Sequence, residues 1–168
     1  WELAGAWPCA SLWALCLPQP CGARLPGVQQ GRFPESGAEA NLLAVDRARH
    51  HRGRPLFLKA GSAYHGTYPD LEAGLHGQGE IPGHTLLAEF NEIDSIERAL
   101  ERHKGQIAAG MLEPVMYTGV GSPALPGFPN RAQEAAHPPG ALVLLHHCPT
   151  PRPARGAPRT QLRPPPDP

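Results

Sequence analysis

Four groups of residues in this chain are of types that do chemistry. The run Ser36-Gly37-Ala38-Glu39-Ala40-Asn41 puts a hydroxyl and a glycine at the head of an apolar-periodic segment. A helix starting there presents unpaired N–H groups and a positive dipole end, which suits a phosphate, and glycine lets an anion approach the backbone closely. Tyr64-His65-Gly66 offers a flat aromatic face beside an imidazole. Glu113 ends the apolar run Ile107–Leu112 and is followed by Pro114 and Val115, where a carboxylate can orient neighbouring groups. His146-His147-Cys148 closes the next apolar run. Adjacent residues on a strand point to opposite faces, so these three do not make a metal site by themselves. The four cysteines, Cys9, Cys16, Cys21 and Cys148, also lack zinc-ligand spacing, and no metal ligand set is expected from either group. Taken singly, the first three groups have plainer readings: a helix cap, a surface tyrosine, an acidic strand end.

The elements that must position these residues follow from periodicity. Ser36 and Glu39 have the spacing of a capping box. Ala40, Leu43, Ala44 and Arg47 recur at helical intervals, with Leu42 and Val45 widening the apolar face. Gly53 stops this helix just past the basic cluster Arg47 to Arg52, which suits its negative dipole end. Leu56-Phe57-Leu58 reads as a buried strand, and a Gly/His/Pro-rich loop runs from Ala60 to His84. Thr85 to Phe90 predicts a second strand, and Asn91 a cap for a helix whose Ile93, Ile96 and Leu100 form an apolar face. Ile107–Leu112 is a third strand, Arg131 to His137 a short helix broken by Pro138-Pro139, and 141–145 a fourth strand. Strands alternating with helices predict an α/β fold with a mostly parallel sheet, whose ligands sit at the carboxyl ends of the strands.

Composition limits the alternatives. Fifteen basic residues balance fifteen acidic ones, so no electrostatic case exists for nucleic acid or an anionic membrane. The apolar stretch Ala10–Leu17 is too short to span a bilayer and has no preceding basic residue to make it a signal sequence. Unpaired thiols predict a reducing, cytoplasmic compartment. The 22 prolines and 19 glycines gather toward loops and flanks. Three regions are expected: an irregular segment 1–24, a folded domain 25–148, and a Pro/Arg-rich disordered tail 149–168. With Trp1 at its start, the chain reads as an internal piece of a longer protein or an incomplete reading frame.

The order of these motifs resembles the cofactor-binding part of a class III, pyridoxal-phosphate-dependent aminotransferase, on the glutamate-1-semialdehyde 2,1-aminomutase-like side. The resemblance covers residues 24–145 and is strongest from Arg32 to Met116. It implies part of the large domain of a fold-type I enzyme, pyridoxal 5'-phosphate as cofactor, an amino or oxo acid as substrate of the intact protein, and a dimer. By the same resemblance Ser36, Gly37 and Ala38 meet the phosphate, Tyr64 lies over the ring with His65 beside it, and Glu113 orients neighbouring groups.

The departures from the family pattern are specific. Glu35 stands for an asparagine, Ala38 for a threonine, and Thr118 for an asparagine after the Glu-Pro-Val turn. Each lost hydrogen bond to a charged group costs on the order of 1.5–3 kcal/mol, so cofactor binding is expected to be weak. His146 occupies the position of the aspartate that pairs with the pyridine nitrogen. The lysines are Lys59 and Lys104, neither at the Schiff-base position, so the resemblance assigns no catalytic residue and implies an inactive fragment. Two other readings stay open: a non-catalytic cofactor-binding or subunit-interaction protein that pairs with an intact subunit, and an unstable truncated product.

Overall fold

The computed structural model describes residues 34–119 and 121–146. The expected flanking segments 1–24 and 149–168, with all four cysteines and His147, lie outside the described residues. The described elements belong to the unit Ser36–Arg163.

Helix α1 spans Gly37–Arg52. The Ser36 hydroxyl accepts the Glu39 N–H at 3.2 Å, and Gly53 ends the helix in the left-handed conformation, its N–H donating to the Arg49 carbonyl. Both termini match the sequence reading. The buried stripe does not. It runs through Asn41, Val45 and Ala48, while Leu43 and Ala44 are half-buried and Arg47 is exposed. A polar residue holds the first place because the buried Asn41 amide donates to the His65 carbonyl at 2.7 Å. Periodicity weights Leu over Asn and so misses a stripe that is held by a hydrogen bond.

Four strands form the main sheet: β1 (Leu56–Ala60), β2 (Thr85–Ala88), β3 (Ile107–Leu112) and β6 (Leu142–Leu145). They lie in the order β2-β1-β3-β6, and every neighbouring pair is parallel. Alternation along β1 divides the core. Leu56 and Leu58 face helices α3 (Ile93–Arg102) and α4 (Phe128–Ala136), joining Ile96, Leu100 and Phe128, while Phe57 faces the opposite way onto Val45 and Leu71. On that second side Ala108 and Ala109 present little bulk to Ala48 of α1. Helices on both faces of a parallel sheet give the three-layer α/β arrangement that the strand–helix alternation predicts.

Several local expectations change. The loop from Ala60 to His84 contains a short helix, α2 (Pro69–Glu72). Asp70 of α2 accepts from Arg49 of α1 at 2.6 Å and from the Thr85 hydroxyl at 2.8 Å, tying helix, loop and β2 together. Asn91 is not the cap of α3. It takes a positive φ of 66°, donates to the Pro123 carbonyl and accepts the Leu125 N–H. Its side chain is drawn to the loop after the small antiparallel pair β4 (Val115–Met116) and β5 (Ser122–Pro123). Helix α4 begins at Phe128 rather than Arg131, because Pro129 is tolerated in a first turn. Among the described residues, no helix is long and apolar enough to cross a membrane.

Candidate functional site

Chain order reverses across the sheet between β1 and β3: β2 lies on one side of β1, and the next strand crosses to the other. Such a switch point leaves a crevice at the carboxyl ends of the two strands. The singled-out residues gather there. The Tyr64-His65-Gly66 loop follows β1, Glu113 is the first residue past β3, and His146 is the first past β6.

Three contacts bring the motifs together. Gly66 lies against Ala38, where a β-carbon on Gly66 would meet the Ala38 β-carbon at 2.6 Å. Asn41 holds the His65 carbonyl from α1. The Thr118 hydroxyl donates to the Ser62 carbonyl, docking the turn after Glu113 onto the loop before Tyr64.

The expected site residues divide by depth. Ser36, Gly37 and Tyr64 are exposed and Ala38 is half-buried. His65 and Glu113 lie beneath, 2% and 5% exposed. There they meet His146, which sequence reading left apart from them. The Nδ1 atoms of His65 and His146 are 2.8 Å apart, and Glu113 Oε1 lies 3.1 Å from His146 Nδ1 and 3.5 Å from His65 Nδ1. The second oxygen of Glu113 and Nε2 of His65 are buried without a hydrogen-bond partner among the described residues. Burial, with His146 and Lys59 nearby, holds the His65 pKa far below its ordinary value, so its ring is neutral.

Lys59 is the second residue of this region that sequence reading placed without a role. It is 1% exposed at the end of β1, and its ammonium donates to the Ala73 carbonyl. Burial lowers its pKa to about 8, opposed by the charge of Glu113. In the unfolded chain this lysine keeps its proton up to its ordinary value of 10.5. The unfolded state therefore binds more protons between about pH 8 and 10.5, and stability from this group rises with pH across that window. Urea unfolding of Lys59→Met and the parent chain at pH 8 and pH 10 checks this. The parent should gain stability relative to the variant as pH rises; parallel responses would contradict the assignment.

Each missed partner was in reach of one rule. In a parallel sheet the residues just past the strands converge, and Glu113 and His146 both occupy such positions. The sequence separation of 81 residues between His65 and His146 hides the pair from any local motif.

An open parallel sheet covered by helices on both faces, with a helix start and a loop meeting at its switch point, defines an α/β protein with a crevice at the strand ends. No family model matches the chain. It is 32% identical over 128 residues to glutamate-1-semialdehyde 2,1-aminomutase of Methanocaldococcus jannaschii, covering 68% of this chain and 30% of that protein. Identity is also 32% over 135 residues to β-phenylalanine transaminase of Variovorax paradoxus, covering 77% and 30%. Among solved structures, an ω-transaminase from Sphaerobacter thermophilus matches with a TM-score of 0.75 and 28% identity, over 83% of this chain and 36% of that one. A transaminase with pyridoxal phosphate bound matches at a TM-score of 0.71 and 26% identity, over 79% and 34%. The homologues and structural neighbours of this chain are class III pyridoxal-phosphate-dependent aminotransferases, glutamate-1-semialdehyde aminomutase among them. The chain spans about a third of the length of these relatives.

Proposed function

We propose that this chain carries the cofactor-anchoring part of a pyridoxal-phosphate-dependent aminotransferase or aminomutase, and that by itself it transfers no amino group. The observation that carries the reading is the contact between the Ser36–Ala38 helix start and the Tyr64–Gly66 loop at the switch point.

The phosphate end fits such a ligand. The N–H groups of Gly37 and Ala38 have no intrahelical acceptor, and a β-carbon on Gly37 would meet nothing within 4 Å, so the backbone is open to an anion. Tyr64, two residues before the Gly66 that packs on Ala38, is exposed, as a residue covering a flat ring would be. The ring-nitrogen end does not fit. His146 stands where the family has a carboxylate, and its Nδ1 is already within 2.8 Å of His65 and 3.1 Å of Glu113. Bound pyridoxal phosphate would supply an electron sink only with its ring nitrogen kept protonated, which a carboxylate does by its negative charge and an imidazole, which is never anionic here, does not. The residues that remain can bind and orient without driving the reaction. Amino and oxo acids as substrates of the intact protein, a cytoplasmic setting, and a dimer of like subunits or a pairing with an intact one belong to the same proposal.

Fluorescence titration of the chain with pyridoxal phosphate and with pyridoxal tests it. A charge-assisted hydrogen bond of about 1.5–3 kcal/mol corresponds to roughly a 10–100-fold preference for the phosphorylated form. Equal affinities would remove the anchoring role. Amino transfer from an amino acid to an oxo acid by this chain with added cofactor would overturn the claim of inactivity.

A further inference from the structure

We infer that His65, Glu113 and His146 form a binding site for a divalent first-row transition metal ion, with Zn²⁺ as the reference case. Their three nearest ligand atoms form a triangle with edges of 2.8, 3.1 and 3.5 Å. Zn²⁺ bonds His nitrogen and carboxylate oxygen at ~2.0–2.2 Å, which sets ligand atoms around one ion roughly 3.0–3.5 Å apart. The cluster comes close to that spacing without rearrangement.

Protons alone satisfy this triangle poorly. Each Nδ1 can carry one hydrogen. If His146 donates, His65 Nδ1 and Glu113 Oε1 face each other as two acceptors at 3.5 Å; if both rings donate from Nδ1, their hydrogens collide. A cation between these three atoms removes the conflict between the facing acceptors. Lys59 feels the charge of Glu113, but its ammonium donates to the Ala73 carbonyl and to no atom of the triangle.

The surroundings add one independent observation. Glu113 Oε2 is buried and without a hydrogen-bond partner among the described residues, available as a second oxygen ligand. Two imidazoles and one carboxylate make the donor set of a zinc or non-haem iron site rather than that of calcium or magnesium. Sequence reading excluded the adjacent trio His146-His147-Cys148. The fold instead joins one of those histidines to residues from two other strand ends.

The test uses the full chain, free of pyridoxal phosphate and stripped of metal. Titration with Co²⁺ should give visible ligand-field bands saturating at one equivalent, displaced by one equivalent of Zn²⁺. His65→Asn, Glu113→Gln and His146→Asn should each weaken binding beyond the ~10–100-fold typical of losing an outer-shell partner. The exposed pair His50 and His51 at the end of α1 is the control, and changing both to Ala should leave affinity unchanged. If a ligand variant fails to fold, X-ray absorption of the Zn²⁺-loaded parent decides, with nitrogen and oxygen neighbours and two imidazoles expected. Absence of stoichiometric binding, binding lost with His50 and His51, or sulfur in the first shell would overturn the site. The outcome is independent of cofactor affinity, so the two proposals fail separately.

Discussion

Gly66→Ala should lower unfolding stability by about 2–5 kcal/mol and erase the preference for pyridoxal phosphate over pyridoxal. Gly66 has φ +138°, and an added β-carbon would lie 2.6 Å from the Ala38 β-carbon, 2.8 Å from its α-carbon and 3.2 Å from Leu71. The backbone strain contributes roughly 1–3 kcal/mol. Overpacking adds a similar amount, because Ala38 is held in the first turn of α1 and cannot swing aside. Relief comes by lifting the loop off the helix start. That movement also takes the His65 carbonyl from Asn41, whose buried amide then lacks its acceptor. Urea unfolding reads the first effect and paired ligand titrations the second. Gly77→Ala separates the causes, since Gly77 has φ +78° and open space around it. It should cost only about 1–2 kcal/mol and leave the ligand preference intact. If Gly66→Ala behaves like Gly77→Ala, the helix start and the loop are not in contact.

Gly74→Ala should be more damaging to folding, at about 3–5 kcal/mol, a large share of the roughly 5–15 kcal/mol that stabilises a domain. Its φ is +83°, and a β-carbon there would stand 2.0 Å from the Gly61 carbonyl oxygen and 2.7 Å from its carbon and α-carbon. Both partners are backbone, so no rotamer change relieves the overlap. Gly61 begins the loop that carries Tyr64, and its N–H donates to the Ala88 carbonyl at the end of β2. Ala73, next to Gly74, supplies the carbonyl that receives the Lys59 ammonium. Separating residues 73–74 from residue 61 would therefore also leave a buried lysine without its acceptor. A thermal melt followed by circular dichroism measures the loss. A shift as small as that of Gly77→Ala would mean that the two glycines do not touch.

The parts of this structure that were legible in the sequence are those decided within a few residues. Helix α1 begins and ends where its Ser36 and Gly53 signals place it, because a cap and a left-handed stop act through bonds only three to five residues away. The apolar face Ile93, Ile96 and Leu100 was readable because helical period alone selects it. The strands were found as apolar runs, and their parallel pairing followed from alternation with helices. Asn91 misled because asparagine suits both a helix cap and a left-handed turn, and its bonds to Pro123 and Leu125, some 30 residues on, chose the turn. The stripe of α1 was misjudged at Asn41 for the same kind of reason: its acceptor, His65, is 24 residues away.

The sequence by itself determined the order of the elements, the phosphate-suited helix start, and the likeness to an aminotransferase cofactor platform, all carried by local spacing. Tertiary structure alone decided which residues share a site. His65, Glu113 and His146 are distant along the chain and become neighbours because three parallel strands end on one edge. The same gathering buries Lys59 and lowers its pKa, which no composition or motif encodes. The physical reason is common to both: burial and convergence are properties of strand order, and strand order is set by the whole core rather than by any segment of it.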